Sequence, residues 1–480
     1  MPSGMTSQDN DTICAIATPP GKGGIGIVRI SGALCRPIAE KILGFSPTPR
    51  HAHLADFRGA GAEVMDTGIA LFFDAPHSFT GEDVLELQGH GGVFLLQGLL
   101  SEVQRHGARL ARPGEFSERS FLNNKIDLAQ AEAIADIIDA TTEQAARSAM
   151  RTLQGAFSQL VSDLVAQVTR LRVYIEAAID FSDEEVDFLS EGKTLEKLET
   201  LLRTMDDVFS RARQGTLLND GMTVVIVGQP NAGKSSLLNQ LSGTEAAIVT
   251  DVPGTTRDLL AQQINIDGMP VHVIDTAGLR HSEDRIEREG VRRARDAMVT
   301  ADRLLVVVDS TCVPDDPPSL YSHLLELMPE LVNEHPMQGH PQRQLEKLTL
   351  ILNKCDLVGR QAQVGEIELG AVGQPTRINF LRLSALSGEG VDLLRTHLKH
   401  CMGYQAAGEG TFIARQRHLD SLGRAREFLL TAKTNLEQGN PAELVAEDLR
   451  LAQNCLGEIT GKVSSDDLLG IIFSSFCIGK

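Results

Sequence analysis

The stretch Gly228-Gln229-Pro230-Asn231-Ala232-Gly233-Lys234-Ser235 follows the apolar run Thr223-Val224-Val225-Ile226-Val227 and precedes Ser236-Leu237-Leu238-Asn239-Gln240-Leu241. A β-branched run, a loop with glycine at its first and sixth positions, Lys-Ser and then a helical pattern is a phosphate-binding loop in its strand-to-helix setting. The glycines let backbone N–H groups turn inward around phosphate oxygens, and the following helix presents its positive end to them. Lys234 supplies a point charge, and the Ser235 hydroxyl can ligate magnesium. The competing reading is a Gly-rich turn without function, against which the strand and helix on either side weigh.

Downstream, Thr250-Asp251-Val252-Pro253-Gly254-Thr255-Thr256-Arg257-Asp258 and Val271-His272-Val273-Ile274-Asp275-Thr276-Ala277-Gly278-Leu279-Arg280 stand in the order of a GTPase switch region. Thr256 is the expected second hydroxyl on magnesium, and Asp275, ending a strand, can hold the ion through water. Asn353-Lys354-Cys355-Asp356 follows the apolar run Leu348 to Leu352. A carboxylate at Asp356 can accept both the ring N–H and the exocyclic amine of guanine, whereas adenine would leave that charge unsatisfied. Ser384-Ala385-Leu386, after Phe380 to Leu383, completes the set as a loop whose N–H can meet the guanine oxygen. Together these segments specify a GTP site. Small signalling GTPases carry a water-orienting glutamine where this chain has Leu279, which cannot polarise water. Either hydrolysis is slow or another residue and another positive charge do the work, and Asn231 is placed either to help bind a monovalent cation or simply to stabilise its loop.

At 480 residues the chain is long enough for about three domains. Its 42% hydrophobic content is that of a globular protein, and no segment approaches the ~20 apolar residues of a membrane span. The polar start, Met1 to Asn10, lacks a signal pattern, so a cytoplasmic protein is expected. Seven scattered cysteines include no C-x-x-C pair and point to neither a disulfide framework nor a zinc site. A net charge of −19 argues against coating of nucleic acid by the whole surface while leaving room for a local basic patch.

The region from Thr12 to about Asn123 reads as α+β, with strands at Ile13–Ala17, Ile25–Ile30, Thr67–Phe73 and Asp83–Leu87 and a helix from Gly92 to His106. Gly21-x-Gly23-x-x-Gly26 resembles a dinucleotide fingerprint, but a strand rather than a helix follows it, so a hairpin-like turn is expected. His90 has no metal-ligand partner at the usual spacing and reads as structural. From Asp127 the periodicity becomes helical: Leu128, Ala131, Ile134, Ala135 and Ile138, then Leu160, Leu164, Val168, Leu171 and Ile175. An acidic run, Asp183-Glu184-Glu185-Val186-Asp187, reads as a solvated loop. Further helices are expected at Thr194–Arg213, Arg415–Leu436 and Ala442–Leu456. The expected fold is therefore multidomain, α+β and α/β: an N-terminal α+β domain over 1–123, a discontinuous helical domain over 124–219 and 403–480, and a Ras-like GTPase domain inserted at 220–402. Within the insert, Pro314 to Gln344 reads as a mobile polar excursion, where His335 and His340 are a weak metal pair.

Beyond the nucleotide motifs, the chain resembles the MnmE (TrmE) tRNA modification GTPases over nearly its whole length. The marks are Pro19-Pro20-Gly21-x-Gly23-Gly24, Phe79-Thr80-Gly81-Glu82-Asp83, Gly89-His90-Gly91-Gly92 and Arg112-Pro113-Gly114-Glu115-Phe116-Ser117-x-Arg119. Lys125-x-Asp127-Leu128-Ala129-Gln130-Ala131-Glu132 and the terminal Cys477-Ile478-Gly479-Lys480 complete them. The resemblance implies a homodimer joined through N-terminal domains that bind 5-formyltetrahydrofolate or a related folate, contacted by Arg29, Glu86, Lys125 and Lys480. It implies that two GTPase domains meet across potassium held by Asn231, Thr250, Val252 and Thr255, which turns Asn231 toward the cation role. Glu287 matches the water-orienting glutamate, with Arg280 and Cys477 as the other catalytic candidates. A flavin partner of the MnmG type, an FAD protein, and tRNA are the implied partners, and the implied product carries an aminomethyl or carboxymethylaminomethyl group at carbon 5 of the wobble uridine. Pro253 departs from the small residue of many relatives, and the excursion near Pro336 is longer than expected. The alternative is a regulatory GTP switch in ribosome assembly or signalling without chemistry on RNA, which would have no use for the folate-like motifs or the terminal cysteine.

Overall fold

The computed structural model describes residues 11–180, 193–243, 261–275, 297–328, 347–369, 376–404, 411–463, 466–474, 476, 477 and 479. The acidic run at 183–187, His335 and His340 lie outside them. The chain divides into two compact units, one of Met1–Ala135, Thr152–Asp206 and Asp420–Lys480, the other of Asp136–Arg151 and Asp207–Leu419.

The first unit opens with β1 (Ile13–Ile16), β2 (Gly23–Ser31), α1 (Cys35–Leu43), β3 (His53–Arg58), β4 (Val64–Phe73), β5 (Val84–Gly91), α2 (Val93–Arg105), β6 (Arg109–Leu110) and α3 (Glu115–Leu122). The strands form one sheet in the order β3-β4-β5-β2-β1-β6, antiparallel except for β1 with β6. Alternation along β1 explains how both faces become buried. Cys14 joins the core made with Val28, Ile30, Leu85, Leu87 and the apolar stripes of α1 and α2. Ile13 and Ala15 point the other way, onto Ala111 and Phe116. As expected from the sequence, a strand follows Gly21, so no helix N-terminus is available there for a dinucleotide. β5 continues through Gly91, past the expected end at Leu87, because Gly23, Gly26 and Ile27 supply partners for Gly91, Gly89 and Gln88.

The helices after this sheet are α4 (Leu128–Asp139), α5 (Glu143–Leu153), α6 (Ala156–Asp180) and α7 (Lys193–Asp220).

In the second unit, β7 (Met222–Gly228) leads into α8 (Lys234–Ser242), followed by β8 (Ala261–Ile266), β9 (Met269–Asp275), β10 (Arg303–Asp309), α9 (Pro317–Leu327), β11 (Leu348–Asn353), β12 (Gln363–Leu369), β13 (Thr376–Arg382) and α10 (Val391–Met402). The sheet order is β12-β13-β11-β10-β7-β9-β8, with β7, β9, β10, β11 and β13 parallel and the two edge strands antiparallel. β7 is apolar from Val224 to Val227 because helices cover both faces: Val224 and Ile226 enter the core shared with α8 and α10, while Val225 and Val227 enter the core shared with α9.

The expectation of a polar excursion from Pro314 to Gln344 needs correction at its start. Asp316 caps α9 by accepting from Ser319 N at 3.0 Å, Pro317 and Pro318 occupy its first turn, and Leu320, Leu324 and Leu327 are buried. Its remaining residues from 329 lie outside the described ones.

The chain returns to the first unit through α11 (Gln416–Glu437), α12 (Ala442–Thr460) and α13 (Asp466–Ser474). α12 packs along α6. Ile472, Phe473 and Phe476 bury against Leu128 and Ala131. α13 is a helix that periodicity did not single out.

Arg119 organises the polar heart of the first unit. Its guanidinium donates to Asp11 Oδ1 at 2.7 Å, Glu82 Oε1 at 3.1 Å and Glu115 Oε1 at 3.1 Å. Burial alone would raise the Glu115 carboxyl, but Arg109, the Arg112 N–H and Arg119 outweigh it and hold the group below its ordinary 4.5. Such a depressed carboxylate stabilises the fold above its unfolded pKa, and the contribution is lost as pH falls through the folded value. Arg119→Met should therefore lower stability at neutral pH by about 3 kcal/mol, since it strands buried carboxylates. In urea titrations the gap between parent and variant should narrow as pH drops below the ordinary glutamate range; a gap that stays constant in acid would contradict this account.

Candidate functional site

The loops after β7, β10, β11 and β13 leave the carboxyl edge of the second unit's sheet, with β7 at the point where strand order diverges toward β9 on one side and β10 on the other. Ligands of open parallel sheets bind at this edge and at such a switch point. The loop from Gly228 to Lys234 takes left-handed backbone at Asn231, φ 63°, and Gly233, φ 99°. Gly233 is required twice over, by that φ and because a Cβ there would lie 2.1 Å from Asn353 Nδ2. Lys234 is buried, and its Nζ donates to Gly228 O at 2.9 Å and Gln229 O at 2.8 Å, which holds the ammonium inside the loop. Ser235 and Ser236 are exposed in the first turn of α8, where free N–H groups and hydroxyls are available to an anion and its counter-ion. A glycine-enforced cradle with an enclosed cation and a helix start fits a nucleotide phosphate.

Asn353 joins this cradle to the base loops. Its Nδ2 donates to Ala232 O at 2.8 Å, and its Oδ1 accepts from Ala385 N at 2.9 Å. The side chain is 2% exposed, so both bonds are made away from water. Next to it, Cys355 N donates to Leu383 O at 3.2 Å, and burial raises the Cys355 thiol, which suits a packing role rather than a reactive one. Ser384 is buried, donating its N–H to Glu389 O at 2.9 Å and accepting from Ser387 N at 3.2 Å. Asp356 and Leu386 remain exposed beside these fixed residues, where a base can reach them.

The structure thus brings Asn231, Ala232, Gly233, Lys234, Ser235 and Ser236 together with Asn353 to Asp356 and Ser384 to Leu386. The backbone of Asp275 ends β9 opposite Ile226. Thr250, Asp251, Val252, Pro253, Gly254, Thr255, Thr256, Thr276, Ala277, Gly278, Arg280 and Glu287 lie outside the described residues.

A second constellation lies on the sheet of the first unit. Arg29 and Glu86 face each other across β2 and β5 and form an ion pair at 2.9 Å. Arg29 also donates to Gly479 O at 3.3 Å, and its guanidinium lies 5.9 Å from the Phe116 ring centre. The terminal tail is held there by backbone contacts: Gly114 N donates to Cys477 O at 3.3 Å, and Gly479, φ 96°, fits where a Cβ would meet Ile16 O at 2.6 Å. Cys477 is exposed beside this seam. Lys125 donates to Pro76 O at 2.9 Å rather than to Glu86, and Lys480 lies outside the described residues. Gly479 was missed as a contact residue in the sequence; the available signal was a small residue two places beyond the terminal cysteine. His90, read as structural, has a partner that linear spacing hides, Asp66 at 2.7 Å. Among the described residues, no three His, Cys, Asp or Glu side chains converge as a metal site, and no helix is long and apolar enough to cross a membrane.

A parallel sheet with a phosphate loop at its switch point, clasped to two base loops by one buried asparagine, defines a P-loop GTPase. Two family models match the chain, "GTP-binding protein TrmE N-terminus" over residues 12–125 and "MnmE helical domain" over residues 128–477. The "tRNA modification GTPase MnmE" of Stutzerimonas stutzeri is 56% identical over 470 residues, covering 98% of this chain and 99% of the relative. Its namesake in Marinobacter nauticus is 53% identical with the same coverage. The chain belongs to the MnmE (TrmE) family of tRNA modification GTPases. Among solved structures, the G domain of the T. maritima FeoB iron transporter aligns at 23% identity over 38% of this chain and 98% of that one, with a TM-score of 0.24, which adds nothing to the topology above.

Asn353→Ala removes both clasps and leaves Ala232 O and Ala385 N without their partner. Titration with a fluorescent GDP analogue should show affinity reduced by at least about tenfold, the order expected for two buried hydrogen bonds. Unchanged affinity would mean that the loops hold their geometry without it.

Proposed function

We propose that this GTPase hydrolyses GTP in a magnesium- and potassium-dependent cycle that gates modification of tRNA at carbon 5 of the wobble uridine. A homodimer working in the cytoplasm with an FAD-containing partner of the MnmG type would add an aminomethyl or carboxymethylaminomethyl group, drawing on a folate-borne one-carbon unit. The domain limits proposed with it are 1–123, 124–219 with 403–480, and 220–402.

On this reading, Lys234 and the N–H groups of the phosphate loop stabilise the phosphate oxygens, and Ser235 and Thr256 hold magnesium by their hydroxyls. Bound there, magnesium would supply positive charge to the phosphate oxygens. Asp275 holds that ion through water, and Asp356 selects guanine by accepting two N–H groups. Water attacks the γ phosphorus, the bond to the bridging oxygen breaks, and GDP and phosphate leave. Glu287 orients that water where Leu279 cannot, with Arg280 nearby in sequence. Asn231, Thr250, Val252 and Thr255 bind the potassium that supplies the missing positive charge. Arg29, Glu86, Lys125 and Lys480 contact the folate, and Cys477 acts beside it.

The observation that carries the reading is the meeting of Arg29, Glu86 and the Gly479 carbonyl on the first unit's sheet. A switch without chemistry of its own has no physical need to seat a thiol-bearing tail against a half-buried arginine of the sheet. The left-handed backbone at Asn231 supports its cation role, since φ 63° in a non-glycine residue costs energy that a ligand contact can offset.

Wobble nucleosides of tRNA from a strain lacking this chain should have lost their carbon 5 groups; a full complement of them would favour the regulatory switch. In a separate assay, Asn231→Ala should abolish stimulation of GTP turnover by potassium while GDP binding stays within about threefold of the parent, as for loss of a ligand seen mainly in the transition state. Parallel loss of binding would count against the cation role.

A further inference from the structure

The residue after the Asn353 clasp has a partner that no motif names. Lys354 Nζ lies 2.5 Å from Asp309 Oδ2, across the ends of β11 and β10. The other oxygen of that carboxylate is filled as well, accepting from Thr311 N at 2.9 Å and from the Thr311 hydroxyl at 2.6 Å. The pair is only partly open to water, the lysine side chain 29% exposed and the aspartate 17%. Burial alone would raise the Asp309 carboxyl, but Lys354 and Thr311 outweigh it and hold it below its ordinary 3.8.

The backbone is bent to make this contact. Lys354 has φ 64°, a conformation a side-chain-bearing residue adopts only when its surroundings enforce it. They do so through Ser310 N to Asn353 O at 3.1 Å, Cys355 N to Leu383 O at 3.2 Å and Leu357 N to Lys354 O at 3.1 Å. Lys354 therefore starts between the residue that clasps the phosphate loop and the loop that carries Asp356, and its stem ends on β10.

We propose that Asp309 is a positioning residue of the guanine subsite, acting through Lys354, whose apolar stem it holds as a ready-made wall beside the base edge that Asp356 reads. A free lysine gives up rotamer freedom when a ligand packs against it; one already tied at its tip has given it up beforehand, and the ligand binds more tightly. Asp309 matters to nucleotide binding only while Lys354 is there to be held. The inference rests on the GTPase assignment and deepens it.

The test uses the full chain and stopped-flow release of fluorescently labelled GDP. Asp309→Asn and Lys354→Met should each speed release by about tenfold, the order of one charge-assisted hydrogen bond. The double variant should be no faster than Lys354→Met alone, and Asp309→Glu, which keeps the charge, should recover part of the loss. The Tm of the nucleotide-free chain should fall only slightly in Asp309→Asn, since the lost pair is partly open to water. Release at the parental rate in Asp309→Asn overturns the proposal, as do effects that multiply in the double variant. An Asp309→Asn chain that fails to fold, or melts early without nucleotide, assigns the pair to scaffold stability and overturns it too. A parent chain that does not bind labelled GDP would instead strike at the nucleotide site itself, a different failure from unchanged release in the variants.

Discussion

One buried side chain ties the loop after β7 to the loops after β11 and β13. Asn353 has an amide donor and an amide acceptor, and the fold uses both at once, on Ala232 O and Ala385 N. A hydroxyl could not reach both loops, and a carboxylate would have no donor for the carbonyl. The rest of the second unit can be understood as the means of bringing that amide to this place. Five parallel strands buried on both faces fix the height of the loops, and the pairing of Asp309 with Asn353 sets the ends of β10 and β11 level. Gly233 leaves the space that the amide occupies.

Rigidity here has a functional sense. A site that must release GDP and hold GTP gains from walls that are set before the ligand arrives, because ordering them afterwards would cost binding energy. The phosphate loop, the Cys355 and Ser384 turns and the Asp309–Lys354 pair are all fixed by the protein's own hydrogen bonds. The first unit follows the same logic with charges rather than amides. Arg119, Arg109, Asp11, Glu82 and Glu115 form a network of ion pairs on the side of the sheet that carries Arg29 and Glu86, where Ser31 donates to Glu82. Burial alone would raise Asp11 and Glu115, but Arg109 and Arg119 outweigh it and hold both below the ordinary carboxylate range.

Strands and helices with strong periodicity were legible in advance, as β7, β11, α2, α11 and α12 illustrate. Elements whose patterns are short or mixed were less so. α9 hides in a polar stretch, although Asp316-Pro317-Pro318 is the signature of a helix start. α13 has only nine residues and is stabilised by burying Phe473 against Leu128 and Ala131, partners far away in the chain. The edge strand β12 alternates exposed and half-buried positions, and its place is set by pairing with β13 rather than by any apolar run of its own.

The sequence by itself pointed to guanine nucleotide binding at 228–236, 353–356 and 384–386, because a phosphate loop works through contiguous backbone and its residues must be neighbours in the chain. It also carried the family resemblance that the comparisons bear out. Only the tertiary structure decided which residues share a site across long separations: Arg29 with a carbonyl 450 residues away, Asn353 with Ala232, and Lys354 with Asp309. Such contacts depend on strand order and register, and these follow from the packing of whole faces rather than from any local run of residues.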